Sequence, residues 1–122
     1  MDAALPIQRG LGRRCRIKLG RDFQRVRRDG ERAVKGCLIA NWTRRTAGQP
    51  SRLGVVVSKR VGNAVVRNRA KRLLRESFRQ HQDQFKQPLD LILVARPSIA
   101  QKDFAGVECD LLLLLRQTGL LK

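Results

Sequence analysis

Residues 58–78 read SKRVGNAVVRNRAKRLLRESF, and their periodicity decides how the rest of the chain is arranged. Gly62 and Asn63 let the chain turn, and Asn63 is a residue type that caps helices, so a helix is predicted from there to about Gln82. Placed at about 100° intervals, Val66, Ala70, Leu73, Leu74, Ser77, Phe78 and His81 fall on one arc. Arg67, Asn68, Arg69, Lys71, Arg72, Arg75 and Arg79 fall on the opposite arc. One face is built to pack, and the other is a dense cationic surface.

A solvated helix face ordinarily mixes signs through Glu and Lys four residues apart. Here Arg67, Lys71, Arg75 and Arg79 are all positive and repel one another. Lys59, Arg60, Arg67, Arg69, Lys71, Arg72 and Arg75 crowd into the same stretch, while Glu76, Asp83 and Asp90 are the only acidic residues between positions 49 and 99. The helix N-terminus adds amide hydrogens that suit a phosphate. An anionic partner explains why the repulsion is tolerated.

Upstream, residues 52–58 (RLGVVVS) are β-branched enough for a strand, and residues 44–51 (RRTAGQPS) make a connecting loop. Residues 31–43 alternate with period two, Val34, Leu38, Ala40 and Trp42 against Lys35, Cys37, Ile39 and Asn41, which predicts one strand paired with 52–58 as an antiparallel hairpin. Residues 20–30 (GRDFQRVRRDG) predict a short helix with Asp22 as cap, Phe23 and Val26 on its apolar side and Gly30 as its stop. Downstream, residues 89–95 (LDLILVA), closed by Pro97, read as a buried central strand. A last helix is predicted over 103–117, with Phe104, Val107, Leu111, Leu114 and Leu115 at helical spacing and Gly119 beyond its end. Residues 1–15 read as a flexible basic arm and 16–122 as the one domain. Helix, strands, basic helix, strand and helix fold most economically as an α/β sandwich.

Composition narrows the classes. The chain has 122 residues, 42% of them hydrophobic, with 27 Lys and Arg against 10 Asp and Glu, a formal charge of +17. That suits one domain with one core. Twenty of the basic residues are Arg, whose planar guanidinium grips phosphate at two points or stacks on a base. The longest apolar runs, 91–95 and 111–115, are five residues each, far below the ~20 that span a bilayer. The N-terminus lacks a secretory pattern, so a cytoplasmic protein with no membrane partner is expected. Cys15, Cys37 and Cys109 with the single His81 support neither a disulfide framework nor a zinc site.

The stretch GNAVVRNRAKRLLRE at 62–76 resembles the RNR signature of the protein subunit of bacterial ribonuclease P, with Arg67, Asn68 and Arg69 as the signature residues. RLGVVVSKRV at 52–61 resembles the family's strand leading into that helix. DFQRV at 22–26 with Gly30 resembles its first helix, and Arg16, Ile17 and Lys18 resemble its basic lead-in. The resemblance implies an α+β sandwich with about four strands and a left-handed β-α-β crossover through the basic helix. It implies a holoenzyme that removes the 5′ leader of precursor transfer RNA by endonucleolytic hydrolysis. The RNA subunit and its Mg2+ ions carry the chemistry, one protein partners one RNA, and the protein has no catalytic residues of its own.

The surface for the RNA subunit is then Lys59, Arg60, Asn63, Arg67, Asn68, Arg69, Lys71 and Arg72. The leader cleft takes Arg16, Lys18, Phe23, Arg27 and Trp42. Arg27 stands where the family commonly has an aromatic, so stacking there falls to a guanidinium plane. Phe23 and Trp42 are equally suited to a core, because alternation fixes spacing but not which face looks at the cleft.

Two other functions compete. A self-sufficient nuclease needs converging carboxylates, and the close pairs, Asp29 with Glu31 and Glu108 with Asp110, do not converge. A ribosomal RNA-binding protein shares the composition but not the RNR segment.

Overall fold

A computed structural model describes residues 16, 17 and 20–122. Lys18, Cys15 and the arm expected over 1–15 lie outside the described residues. Helix α1 (Gly20–Asp29) leads into strands β1 (Glu31–Lys35) and β2 (Leu38–Arg44), then β3 (Arg52–Val56). A 3-10 turn at Lys59–Val61 precedes helix α2 (Ala64–His81), followed by strand β4 (Leu89–Ala95) and helix α3 (Phe104–Gln117). The four strands form one mixed sheet in the order β1-β2-β4-β3.

The basic helix forms as its sequence predicts. Asn63 caps it, its side-chain oxygen accepting from the Val66 amide at 3.0 Å. Asp103 caps α3 in the same way through the Gly106 amide, and Gly119 ends that segment with φ 74°. β4 is buried on both faces at the centre of the sheet, antiparallel to β2 and parallel to β3. α2 is the connection that makes the parallel pairing possible.

Two strand expectations are corrected. Residues 31–43 are two strands, because Gly36 turns with φ 55° and sends β2 back along β1. A side chain at 36 would meet the Asp110 carboxylate, which also accepts from the Cys37 amide at 3.0 Å. The predicted hairpin between 31–43 and 52–58 does not form, since the more apolar β4 takes the central place between β2 and β3. Asp22 stands inside the first turn of α1 and is not its cap.

The two faces of the sheet are packed unequally. Leu38, Ala40, Trp42, Leu53, Leu91 and Leu93 point to the side covered by α2 and α3, where Ala70, Leu74, Phe78, Val107, Leu111, Leu114 and Leu115 complete the main core. The other side holds a small cluster of Ile17, Val26 and Ile92 with Phe23, Val56 and Val94 packed on it. Among the described residues α1 is the one helix on that side, and it leaves part of the face open. Ile17 donates to the Leu53 carbonyl at 3.0 Å, and Arg16 bridges to Leu53 along the outer edge of β3. At the C-terminus, Lys86 and Lys122 bond to the carbonyls of Leu120 and Gln84.

Candidate nucleic-acid interface

The first candidate surface is built where β3 hands over to α2. Lys59 and Arg60 stand exposed on the 3-10 turn while Val61 anchors it in the core. Gly62 follows with φ 154°, and a Cβ there would come within 3.0 Å of the Val66 side chain, so the turn closes tightly against the helix. The Arg67 Nε donates to the Gly62 carbonyl at 3.2 Å and holds its guanidinium over the turn. Arg69 reaches the Lys102 carbonyl at 2.7 Å, joining α2 to the approach of α3. Asn68 and Arg72 are exposed and Lys71 is half-buried.

All eight residues expected to bind the RNA subunit are therefore gathered on the turn and the first half of α2, but they are not equivalent. The Asn63 oxygen is committed to its cap, and Arg67 and Arg69 are partly committed to carbonyls. Carbonyl contacts leave their charges uncompensated. Lys59, Arg60, Lys71 and Arg72 have neither an acidic nor a carbonyl partner among the described residues. Burial, and then the charge of Arg16, lowers the pKa of Arg75 from its ordinary value, so Arg16 and α2 join in one cationic field. Arg79 drops out of that field. It is paired with Glu76, which also accepts from Gln80 at 2.9 Å and is held below the usual carboxylate range chiefly by Arg79.

The second candidate surface lies on the other face of the sheet. Phe23 of α1 rests over Gly54 of β3, where an added Cβ would sit 2.5 Å from the ring tip. Arg27, one helical turn further, is exposed. Beyond the helix, the cross-strand register lines up Val34, Ile39, Val94 and Val56 in one row, four β-branched side chains none of which is fully buried. Val34 keeps 45% of its surface exposed. This row was hidden from sequence reading, because counting by two through Gly36 places Val34 on the wrong face.

Trp42 does not join Phe23. It is 2% exposed and packs in the main core, on the opposite side of the sheet. Pairing with Leu91 fixes that orientation, since partners across a ladder share a face. Of the expected cleft residues, Phe23 and Arg27 lie on α1, while Arg16 stands exposed at the β3 edge and its charge acts on Arg75 of α2.

Sequence reading also missed the group that fixes α1 in place. Asp90 is 1% exposed, and its two carboxylate oxygens accept from Arg52 Nε and a terminal Arg52 nitrogen, both at 2.8 Å. Arg25 of α1 donates to the same carboxylate at 2.8 Å, and Arg45 lies 3.4 Å away. Burial pushes the Asp90 carboxyl up, but the Arg52 and Arg25 hydrogen bonds and the nearby positive charges outweigh it and hold the group below its ordinary value. The sequence signal was an acidic residue in an otherwise apolar strand.

No group of three or more His, Cys, Asp or Glu gathers among the described residues. Asp22 and Asp90 share Arg25 and Arg52, whose guanidiniums occupy the places a cation would take. His81 sits between α2 and α3, 2.7 Å from Glu108 and 2.9 Å from Gln84, a contact that ties the two helices together. The Cys37 thiol is fully buried, and burial together with Asp110 pushes its pKa up to about 12, so it is inert. No helix among the described residues is long and apolar enough to cross a membrane. A polar groove of about 950 Å3 near the C-terminal end of α2, lined by residues including Gln49, Gln82, Lys86 and Lys122, shares no residue with either surface.

Comparison with known proteins gives the family. The family model "Ribonuclease P" matches residues 11–119. The ribonuclease P protein component of Syntrophomonas wolfei is 36% identical over 110 residues, covering 90% of this chain and 92% of that protein. Its counterpart in Clostridium botulinum strain Loch Maree is 38% identical over 106 residues, 86% of this chain and 95% of that one. Among solved structures, the Staphylococcus aureus RNase P protein superposes with a TM-score of 0.79 at 30% identity, over 88% of this chain and 98% of that one. The Thermotoga maritima RNase P protein gives 0.71 at 31%, over 83% and 96%. With three helices on a four-stranded mixed sheet and an RNR segment at the head of α2, this chain belongs to the ribonuclease P protein family.

Proposed function

We propose that the chain is the protein subunit of ribonuclease P, binding the RNA subunit through the head of α2 and the 5′ leader of precursor transfer RNA along the open half of the α1 face. The observation that carries the first duty is the set Lys59, Arg60, Lys71 and Arg72, cations on one turn and helix with no acidic partner among the described residues. Phosphates of a structured RNA supply the missing countercharge.

The second duty rests on chemistry that suits unpaired nucleotides. Phe23 gives a ring for a base to stack on, the row Val34, Ile39, Val94 and Val56 gives an apolar floor, and exposed Arg27 on α1 and Arg16 at the β3 edge offer charge for the backbone. Arg27 stacks through its guanidinium plane. Lys18, outside the described residues, is proposed to bind the same leader.

Cleavage chemistry belongs to the RNA in this proposal, with Mg2+ held by the RNA, since Asp22, Asp29, Glu31, Glu76 and Asp90 are engaged by arginines and no group of three or more His, Cys, Asp or Glu gathers among the described residues. The protein acts by neutralising phosphates, so that substrate and RNA subunit approach with less repulsion and less magnesium. One protein joins one RNA, in the cytoplasm. None of the relatives described above is a ribosomal protein, and that alternative draws no support from them.

Reconstitution with a bacterial ribonuclease P RNA at low magnesium tests the proposal. Addition of the protein is expected to raise the rate of leader removal strongly, while the protein alone cleaves nothing. No stimulation, or cleavage by the protein alone at the rate of the complex, would refute it.

A further inference from the structure

We infer that Val65 is itself an RNA contact, its two methyl groups seated on the base of an unpaired nucleotide in the RNA subunit; the inference rests on the function proposed above. Among the described residues only Val34 and Val65 are large hydrophobic side chains left exposed, and Val65 is the more open at 77%. Scattered exposed valines need no explanation. This one is set apart by how it is held and by what surrounds it.

The rotation of the first turn of α2 is fixed twice over. Asn63 caps the Val66 amide, and the Val66 side chain packs on the bare backbone of Gly62. With Val66 turned inward, Val65 is turned outward. Helical spacing then stacks Asn68, Arg69 and Arg72 along the same outer stripe, and all three are exposed. Lys59 and Arg60 stand exposed on the preceding turn. A stiff apolar side chain thus sits at the head of a cationic stripe whose one acidic residue, Glu76, lies further along the helix and is paired with Arg79. β-branching leaves it essentially one rotamer in a helix, so contact costs little side-chain entropy.

The cations bring RNA to the stripe, and the valine requires something apolar there to displace water. A regular RNA duplex is a poor match. Its deep groove excludes side chains, and its accessible surface is phosphate and 2′-hydroxyl, whereas base faces are free only where nucleotides are unpaired. The contact therefore falls at a loop, bulge or junction of the RNA subunit.

Equilibrium binding of a bacterial ribonuclease P RNA across a salt series, combined with nucleotide-resolution probing, tests this. Val65→Ala is expected to bind roughly three- to tenfold more weakly, with the salt slope unchanged because no phosphate contact is lost. Val65→Thr keeps the shape but not the apolar surface and should weaken binding comparably. An unpaired nucleotide protected by the wild-type protein should regain reactivity with Val65→Ala. Wild-type affinity in the Ala or Thr variant, a reduced salt slope, or an unchanged protection pattern would overturn the inference. Both variants retain an exposed side chain, so the fold is not at stake, and circular dichroism checks it. If the wild-type protein itself fails to bind the RNA, the function proposed above fails instead.

Discussion

Phe23 rests against the bare backbone of Gly54, so closely that a methyl group added at 54 would lie 2.5 Å from the ring tip. The helix that carries Phe23 can approach the sheet to this distance only over a glycine. Gly54→Ala is expected to cost about 1–3 kcal/mol of stability through overpacking. In a Phe23→Ala background the same change should cost little. Denaturant titration of the four proteins of that cycle measures the coupling, and additive effects would contradict the contact.

Phe23 and Trp42 are separated by the sheet, and their substitutions should separate likewise. Phe23→Ala is expected to weaken binding of precursor transfer RNA by about 1–3 kcal/mol, the worth of one stacked base, while leaving mature transfer RNA unaffected. Trp42→Ala should instead destabilise the fold by about 3–5 kcal/mol with no preference between the two RNAs. Paired affinities for precursor and mature substrate, alongside melting of each variant, check both outcomes.

The Asp90 cluster makes stability depend on pH in a definite direction. Its folded pKa lies below its ordinary value, so its contribution is fully present above the unfolded carboxylate value of about 3.9. That contribution is lost as pH falls through the lowered folded value. Asp90→Asn is expected to cost about 3 kcal/mol near neutral pH, the lower end for breaking a buried pair because Arg25 and Arg52 are partly solvated. The gap between variant and wild type should narrow below about pH 4. Denaturation at a series of pH values measures it, and a gap independent of pH would exclude this role for the carboxylate.

What could be read from the sequence divides along physical lines. α2, β4 and α3 follow from local signals, namely the Asn63 and Asp103 caps, clean helical spacing, and an apolar run closed by Pro97. The RNR segment is local too, and its residues meet on one surface as expected. Pairing of strands is not local. Which of β2 and β4 lies beside β3 depends on the whole molecule, and the Gly36 turn reverses the parity that aligned Val34 with Leu38, Ala40 and Trp42, so the row of Val34, Ile39, Val94 and Val56 was not visible. Trp42 was placed in the cleft by the family resemblance, since alternation does not tell which face looks at the cleft, and it belongs to the core. The Asp90 cluster joins residues up to 65 positions apart, which no spacing pattern displays.

The claim that the head of α2 binds the RNA subunit through phosphate contacts is tested most directly by one salt series. The logarithm of the affinity for a bacterial ribonuclease P RNA is measured against the logarithm of salt concentration, for the wild-type protein and for a variant with Lys59, Arg60 and Arg72 all changed to Ala. These three are exposed, and none has a side-chain hydrogen bond or ion pair among the described residues. Each phosphate contact contributes roughly 0.7–0.9 to the slope, so the variant is expected to bind more weakly with a slope shallower by about 2–3. An unchanged slope would contradict the account.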